Sequence, residues 1–219
     1  MAEPVLRIGH VIPRSEVNGP GARFTLWLQG CHLDCPGCFN PQLHDPRQGR
    51  AVPAADLLRQ ILATPGIEGV TFSGGEPFLQ AGALATLAAR LQDLGLSVMS
   101  YSGFTRRFIE TNLPHGRQLL AHLDILIDGP YLEAQRAPLR WRGSRNQTVH
   151  FLTSRYRHLA TETAHACGHE VEIQIGETGV AMTGVFETRI WTLLAKRLRL
   201  ESSRHPDRSA PIIRPGEEP

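Results

Sequence analysis

Three of the four cysteines in the chain, Cys31, Cys35 and Cys38, lie within eight residues of one another. The spacing C-x3-C-x2-C, with proline and glycine between the last two thiols, leaves no room for a helix or a strand inside the motif. Thiolates held this close together can converge on one metal centre. The fold therefore has to present this loop where a metal centre fits.

The number of thiols separates the kinds of metal centre. A structural zinc site uses four protein ligands, so His32 or His44 would have to complete it. A [4Fe-4S] cluster can be held by three thiolates and keep one iron open for a substrate, whereas an electron-transfer cluster normally uses four. Cys167 could close the set, but a lone cysteine far along the chain is more often unrelated to the site.

The segments around the motif alternate between strand and helix patterns. Short apolar runs bounded by turn residues predict four buried strands at residues 24–29, 70–73, 96–101 and 123–128. Apolar stripes predict two helices between them, one with Leu57, Leu58, Ile61 and Leu62 after Pro53, the next with Leu84, Leu87, Ala88 and Leu91. Thr105 predicts the cap of a shorter helix through Phe108 and Ile109.

This βαβαβαβ order predicts parallel strands joined by right-handed crossovers, with the helices outside the sheet. In such folds chemistry takes place at the carboxyl ends of the strands. The cysteine loop follows the first strand, SGGEP (73–77) the second, SGFT (102–105) the third and DGPY (128–131) the fourth. We therefore expect all four segments at one edge.

The pattern changes after about residue 145. Residues 148–153 predict another strand, and residues 170–175 and 180–186 predict an antiparallel hairpin. A helix with Ile190, Leu193, Leu194 and Leu198 follows, and we expect the Pro-rich and charged residues 201–219 to be disordered. The prediction is one domain over residues 1–200, with a core at about 8–150 and an extension at about 151–200.

Composition excludes several function classes. The chain has 219 residues, 41% of them apolar, and a net charge of +2 without a block of basic residues, so we expect no nucleic-acid partner. No run approaches the roughly 18 to 20 apolar residues of a membrane span. The broken apolar pattern at the N-terminus predicts no secretory signal. Together with the cysteine usage, this predicts a cytoplasmic protein.

Several motifs resemble a known family. The segment NGPGARFTLWLQGCHLDCPGCFNP (18–41) resembles the N-terminal signature of the radical S-adenosylmethionine superfamily, in its glycyl-radical-enzyme-activating branch. SGGEP is similar to the GGE motif of that superfamily. DGPYLEAQRAPLRWRGSRNQ (128–147) most resembles the activating components of anaerobic ribonucleoside-triphosphate reductases. The resemblance covers roughly residues 8–150.

The resemblance implies an incomplete (β/α) barrel that binds one [4Fe-4S] cluster through Cys31, Cys35 and Cys38. It also implies S-adenosylmethionine as the second cofactor, which the cluster cleaves to a 5′-deoxyadenosyl radical. No further catalytic residue is implied. The cofactor-binding residues implied are Gly37, Phe39, Asn40, Ser73, Gly74, Gly75, Glu76, Ser102 and Asp128.

Particular roles follow from the same resemblance. Gly74 and Gly75 would let backbone approach the methionine part of the ligand. Glu76 would present its carbonyl, and its carboxylate as a second option, to the ligand ammonium. Phe39 would lie near the adenine, with Gly37 letting the loop pass beneath it.

Some residues admit two interpretations. Ser102, Gly103 and Thr105 could contact the ligand or form a turn and a helix cap. Asp128 could bind the ligand or cap a turn. A last group could order a lid over the site or pack against the open side of the barrel, and packing is the better interpretation for the tryptophan: Trp141, Arg142, Asn146 and Gln147.

The partner implied by the resemblance is a glycyl-radical enzyme of the reductase type, with a flavodoxin or ferredoxin as electron donor. A second hypothesis is a radical enzyme that modifies a small molecule or a peptide. A hypothesis of another class is a non-catalytic zinc or iron–sulfur module, which would bind no S-adenosylmethionine.

Overall fold

The structure is a computed structural model and describes residues 3–165, 170–176, 179–185, 193–194 and 196–197. Its strands are β1 (Val5–Ser15), β2 (Arg23–Leu28), β3 (Arg50–Pro53), β4 (Gly69–Gly74), β5 (Ser97–Tyr101), β6 (Ile125–Asp128), β7 (Arg136–Leu139), β8 (Arg142–Ser144), β9 (Thr148–Phe151), β10 (Val171–Gly176) and β11 (Gly179–Gly184). Its helices are α1 (Ala54–Ala63), α2 (Ala81–Asp93), α3 (Arg106–Asn112), α4 (Gly116–Leu120) and α5 (Ala160–His165).

One mixed sheet carries most of the fold. Its seven strands run in the order β3-β1-β2-β4-β5-β6-β9. The four central strands, β2, β4, β5 and β6, are parallel, as the sequence predicts. Trp27 pairs with Ser73 and Leu28 with Gly74, so β2 and β4 end side by side. This register brings the cysteine loop and the SGGEP segment to one edge.

The core lies between this sheet and its helices. Successive side chains of a strand point to opposite faces, and Phe24, Leu26 and Leu28 of β2 point outward to the helices. They pack in one cluster with Leu57 of α1 and Leu84 of α2. Burial of each such side chain contributes roughly 1.5–3 kcal/mol, so this cluster holds the strand ends in place.

The opposite face of the sheet carries both polar and apolar side chains and lines a cavity of about 1030 Å³. Trp27, Ser73 and Tyr101 point from β2, β4 and β5 into it. At the base of this face lies Arg23, fully buried. Its guanidinium donates to Thr71 Oγ1 at 2.7 Å, and also to backbone carbonyls and to a serine of β5. Burial lowers the pKa of Arg23 to about 10.

The sheet is open among the described residues, since β3 and β9 are its two outer strands and do not pair with each other. The coarse expectation of a parallel-rich α/β fold is therefore confirmed, but the sheet is no closed barrel. Two strands on one side of the sheet, β1 and β3, were not predicted. β1 contains Gly9 and Pro13 and has irregular register with β2, so its apolar pattern is broken. β3 has only four residues.

The predicted helices form with small differences. In α1, Leu57 and Ile61 are buried, but Leu62 is 53% exposed. The cause is helical geometry: residues four apart share a face, and Leu62 is turned about 100° from Ile61. The Thr105 cap is confirmed, because its hydroxyl accepts a hydrogen bond from the Phe108 N–H at 3.3 Å.

The C-terminal part is antiparallel, as predicted. β9 pairs with β6, and β10 pairs with β11. Of the predicted last helix, the described residues 193–194 and 196–197 are helical. Ile190, Leu198, Cys167 and residues 201–219 lie outside the described residues. No helix in the described part of the chain is long and apolar enough to cross a bilayer.

Candidate functional site

The cysteine loop begins where β2 ends and is held by backbone hydrogen bonds. The Cys31 N–H donates to His44 O at 3.0 Å, and the Cys38 N–H donates to Cys35 O at 3.1 Å. The second bond closes a tight turn. Gly37 lies in this turn at φ +73°, a conformation that favours glycine, and a Cβ there would lie 3.0 Å from Glu133.

All three thiols of the motif line the cavity and are partly exposed. Burial raises the pKa of Cys31, and the negative charges of Glu76 and of the other two cysteines raise it further. Burial likewise raises the pKa of Cys38. Three thiolates in one partly buried place repel one another, so a cation bound among them would stabilise all three.

The donor set fits an iron–sulfur cluster because it consists of soft thiolates facing open space. In the described residues, no three histidine, cysteine or acidic side chains are already placed at the distances that would hold a metal ion. His44 Nδ1 lies 3.9 Å from an Asp34 oxygen, and His32 contacts the Phe104 ring. Neither histidine adds a fourth ligand to the thiols in this arrangement.

The SGGEP segment lies against the cysteine loop. Gly74 has φ +107°, and a Cβ on it would lie 2.4 Å from Leu28 N. A Cβ on Gly75 would lie 2.4 Å from Gly30 O. Both glycines therefore permit a close approach, and in this structure it is to the backbone around the cysteine loop. The segment also lines the cavity through Ser73, Gly74, Gly75 and Glu76.

Glu76 is fully buried, and its carboxylate is turned into the protein. Oε1 accepts hydrogen bonds from the Phe78 N–H at 2.9 Å and from Ser102 Oγ at 3.0 Å. Oε2 accepts from the Gly103 N–H at 2.8 Å. Burial raises the pKa of Glu76 to about 7, although these donors oppose the rise. The carboxylate thus joins the loops that follow β4 and β5.

The side chains of Ser102 and Asp128 have different partners. Ser102 is buried, lines the cavity and donates to Glu76. Asp128 accepts from the Arg106 N–H at the start of α3 and lies 3.0 Å from His150 Nε2. Although partial burial raises the pKa of Asp128, its contacts with His150 and Arg106 lower it overall. Its carboxylate is engaged by protein groups.

Phe39 forms an aromatic wall of the cavity with Tyr131, a residue that the sequence analysis did not single out. The two ring centroids are 5.0 Å apart, and the Arg136 guanidinium lies 5.9 Å from the Phe39 centroid. Beside it, the Asn40 N–H donates to Cys38 Sγ at 3.4 Å. The DGPY motif was the only sign of Tyr131 in the sequence.

The WRGSRNQ segment holds the loop that follows β6. Gln147 Nε2 donates to Gly129 O at 3.1 Å, and Asn146 Nδ2 donates to Pro130 O at 2.7 Å. Gln147 Oε1 also accepts from the Gly143 N–H at 2.8 Å. These bonds favour the interpretation that the segment orders the rim of the cavity.

Trp141 is packed in the protein interior, which is the interpretation that the sequence favoured. The residue is 3% exposed, belongs to a buried apolar cluster and also lines the cavity. The Arg140 guanidinium lies 4.9 Å from the Trp141 ring centroid. Arg142 donates to Thr163 O at 2.9 Å and so connects this region to α5.

The fold and site together define a class: a mixed α/β domain whose thiol-rich loop and cavity lie at the carboxyl ends of parallel strands. Residues 17–150 match the family described as "4Fe-4S single cluster domain". The chain belongs to this family, together with proteins named as activators of anaerobic ribonucleoside-triphosphate reductase, and the resemblance seen in the sequence is thereby confirmed.

Two relatives illustrate this relationship. The chain is 31% identical over 150 residues to the anaerobic ribonucleoside-triphosphate reductase-activating protein of Vibrio cholerae, covering 64% of this chain and 95% of that protein. It is 32% identical over 149 residues to the Escherichia coli K12 protein of the same name, covering 64% and 95%. The solved structure of QueE from Escherichia coli is 19% identical, with a TM-score of 0.38 and coverage of 46% and 54%.

Proposed function

We infer that the chain is a radical S-adenosylmethionine enzyme that activates a partner enzyme by forming a glycyl radical on it. The observation that carries this inference is that the C-x3-C-x2-C thiols and the SGGEP segment line the same cavity. Membership of a 4Fe-4S single-cluster family and about 30% identity to reductase-activating proteins support it.

Cys31, Cys35 and Cys38 would hold three irons of one [4Fe-4S] cluster. The fourth iron would then be left to S-adenosylmethionine, in the cavity that the three thiols line. When bound, the cluster and S-adenosylmethionine supply a one-electron cleavage that yields a 5′-deoxyadenosyl radical.

The residues around the thiols position that chemistry. The backbone of Ser73, Gly74 and Gly75 would bind the methionine part of the ligand. Glu76 has its carboxylate engaged, and its carbonyl accepts from the Leu79 N–H at 3.1 Å. Its contribution is therefore to fix the loops that follow β4 and β5, with Ser102 as the polar group that faces the ligand.

The aromatic side of the cavity would bind the adenine. Phe39 and Tyr131 offer a flat apolar surface, and base stacking on such rings is favourable. Gly37 lets the loop turn beside Phe39, and Asn40 fixes it through Cys38 Sγ. Asp128 would act behind this surface, by capping α3. The open sheet and its lined face would then correspond to an incomplete (β/α) barrel.

The proposed partner is a glycyl-radical reductase, because the relatives are named as activators of the anaerobic ribonucleoside-triphosphate reductase. The reductant would be a flavodoxin or a ferredoxin, and the cytoplasm is the compartment that keeps the thiols reduced. The cavity of about 1030 Å³ is at the upper end of the range for single-ligand sites, which leaves space for a glycine-bearing segment next to the cofactor.

The test is anaerobic reconstitution with iron and sulfide, followed by dithionite and S-adenosylmethionine. We expect 5′-deoxyadenosine, and its loss in Cys35→Ser. The matched control is Cys167→Ser, which alters the cysteine outside the motif and should retain cleavage. Stoichiometric zinc binding without 5′-deoxyadenosine would contradict the proposal and favour a non-catalytic module.

A further inference from the structure

The C-terminal hairpin, formed by β10 and β11, is anchored to the end of β1. From β10, Glu172 Oε2 accepts a hydrogen bond from the Glu16 N–H at 2.9 Å. Gln174 Nε2 donates to Arg14 O at 2.9 Å. These bonds tie alternate residues of β10 to the same short segment, so one face of the hairpin is docked.

β11 is anchored by a pair of buried side chains. Asn18 Nδ2 donates to Thr183 Oγ1 at 2.9 Å, and the Thr183 hydroxyl lies 3.2 Å from Asn18 Oδ1. The two residues are 7% and 6% exposed. Buried polar groups that satisfy each other in this way fix position as well as adding stability.

The other face of the hairpin is apolar and exposed. Glu172 pairs with Thr183 on the docked face, so Ile173 and its partner Met182 lie on the opposite one. Ile173 is 46% exposed, and Ile175, further along the same face, is 78% exposed. Met182 also lines the cavity that contains the three thiols, so the apolar face reaches the cavity through this residue, beside Thr183 of the docked face.

The hairpin lies outside the part of the chain shared with the family. The family match ends at residue 150. The alignment with the Vibrio cholerae protein covers 95% of that protein but 64% of this chain. The cavity wall made by Met182, Thr183 and Gly184 is therefore an addition to the common domain.

We propose that the hairpin is a specificity-determining wall that contacts an extended segment of the glycyl-radical partner as it enters the cavity. This proposal rests on the proposed function. The Ile173 and Met182 face leads into the cavity where hydrogen abstraction would take place. An uncharged, glycine-bearing segment fits an apolar surface, because no charged group on it would lose water there.

The backbone of the hairpin favours the same occupant. Among the described residues, β10 and β11 form a sheet of two strands only. Each strand therefore has one edge without a strand partner, and extended segments bind such edges through main-chain hydrogen bonds. A strand added there would lie along the hairpin, next to the residues of β11 that line the cavity.

The test uses full-length proteins, reconstituted anaerobically and mixed with dithionite, S-adenosylmethionine and the glycyl-radical reductase of the same organism. The readout is the coupling ratio: glycyl radical, measured by electron paramagnetic resonance, divided by 5′-deoxyadenosine. We expect Ile173→Asp to lower this ratio about tenfold, as loss of an apolar interface anchor does. Leu94→Asp, an equally exposed leucine (52%) after α2, should leave it unchanged.

Thr183→Val provides a second, independent variant. It removes the bond to Asn18, so hydrogen exchange of the β10 amides should quicken and the coupling ratio should fall. Coupling ratios equal to wild type in both hairpin variants would contradict the proposed role of the hairpin but not the proposed function. A wild type that forms no 5′-deoxyadenosine would overturn the proposed function itself, and cleavage without any radical on the reductase would overturn both the partner and the wall.

Discussion

The carboxylate of Glu76 accepts a hydrogen bond from the hydroxyl of Ser102 at 3.0 Å, and this bond joins the ends of the parallel strands β4 and β5. Two backbone donors, from Phe78 and Gly103, complete the arrangement. The carboxylate of Glu76 in the SGGEP motif thus connects the loops that follow β4 and β5. Its environment leads to the first two predictions.

Ser102→Ala should lower the free energy of unfolding by about 1 kcal/mol. The change removes one of two donors to Oε1 in a buried site, and a buried hydrogen bond contributes about that much. The measurement is anaerobic urea unfolding of the reconstituted enzyme. Ser154→Ala, at an exposed position after β9, is the control and should cost less than about 0.5 kcal/mol. Equal losses in the two variants would contradict the prediction.

Stability should depend on pH through Glu76. Its pKa in the folded chain, about 7, is above its ordinary value of 4.5, so the protonated form is favoured by folding. The resulting stability is fully present below pH 4.5 and is lost as the pH rises through about 7. Relative to Glu76→Gln, which cannot ionise, wild type should therefore lose about 2 kcal/mol of stability between pH 5.5 and pH 8.

The measurement for Glu76 is the difference between unfolding free energies at about pH 5.5 and pH 8. Wild type should lose stability over this interval, and Glu76→Gln should show a flatter profile. The exposed Glu16→Gln variant serves as the control and should keep the wild-type slope. A Glu76→Gln profile as steep as that of wild type would show that Glu76 does not cause the pH dependence of stability.

Gly74→Ala should destabilise the protein much more than Gly66→Ala. Both glycines have positive φ, at +107° and +68°, so alanine strains the backbone at each, by about 1–2 kcal/mol. A Cβ at Gly66 meets nothing within 4 Å, whereas one at Gly74 would lie 2.4 Å from Leu28 N. We expect Gly74→Ala to cost at least about 3 kcal/mol. Similar melting temperatures for the two variants would show that the close approach is unimportant.

Arg23→Met should lower the free energy of unfolding by roughly 2–4 kcal/mol. It leaves the acceptors of a fully buried guanidinium, among them Val70 O and Ser97 Oγ, without their donor. Arg107→Met, at an exposed position of α3, is the matched control and should change stability by less than about 0.5 kcal/mol. Denaturant unfolding of both variants is the measurement, and a loss below about 1 kcal/mol for Arg23→Met would contradict it.

Much of the sheet could be predicted from sequence because β2, β4, β5 and β6 are short, mainly apolar and bounded by turn residues. β1 could not, since Gly9 and Pro13 interrupt its pattern and its pairing with β2 is set by tertiary contacts. The hairpin was predictable because its strands flank a Gly-rich turn.

The candidate site, too, could be predicted from the sequence only in part. Motif spacing predicted which loops meet, because parallel strands end at one edge. It did not predict that the Glu76 carboxylate turns inward, and it left Asp128 between ligand binding and turn capping, since both outcomes depend on which donors neighbouring loops bring. Tyr131 was missed because a single aromatic residue in a loop has no periodic signal.

In the proposed function, three cysteines hold the cluster and leave one iron for S-adenosylmethionine. The most direct measurement is electron paramagnetic resonance with nuclear double resonance on the reduced, reconstituted enzyme, with S-adenosylmethionine labelled by ¹⁵N at its amino group. We expect a ¹⁵N hyperfine coupling to the cluster that is identical in wild type and Cys167→Ser. A cluster signal that the labelled compound leaves unchanged, or that is lost in Cys167→Ser, would contradict it.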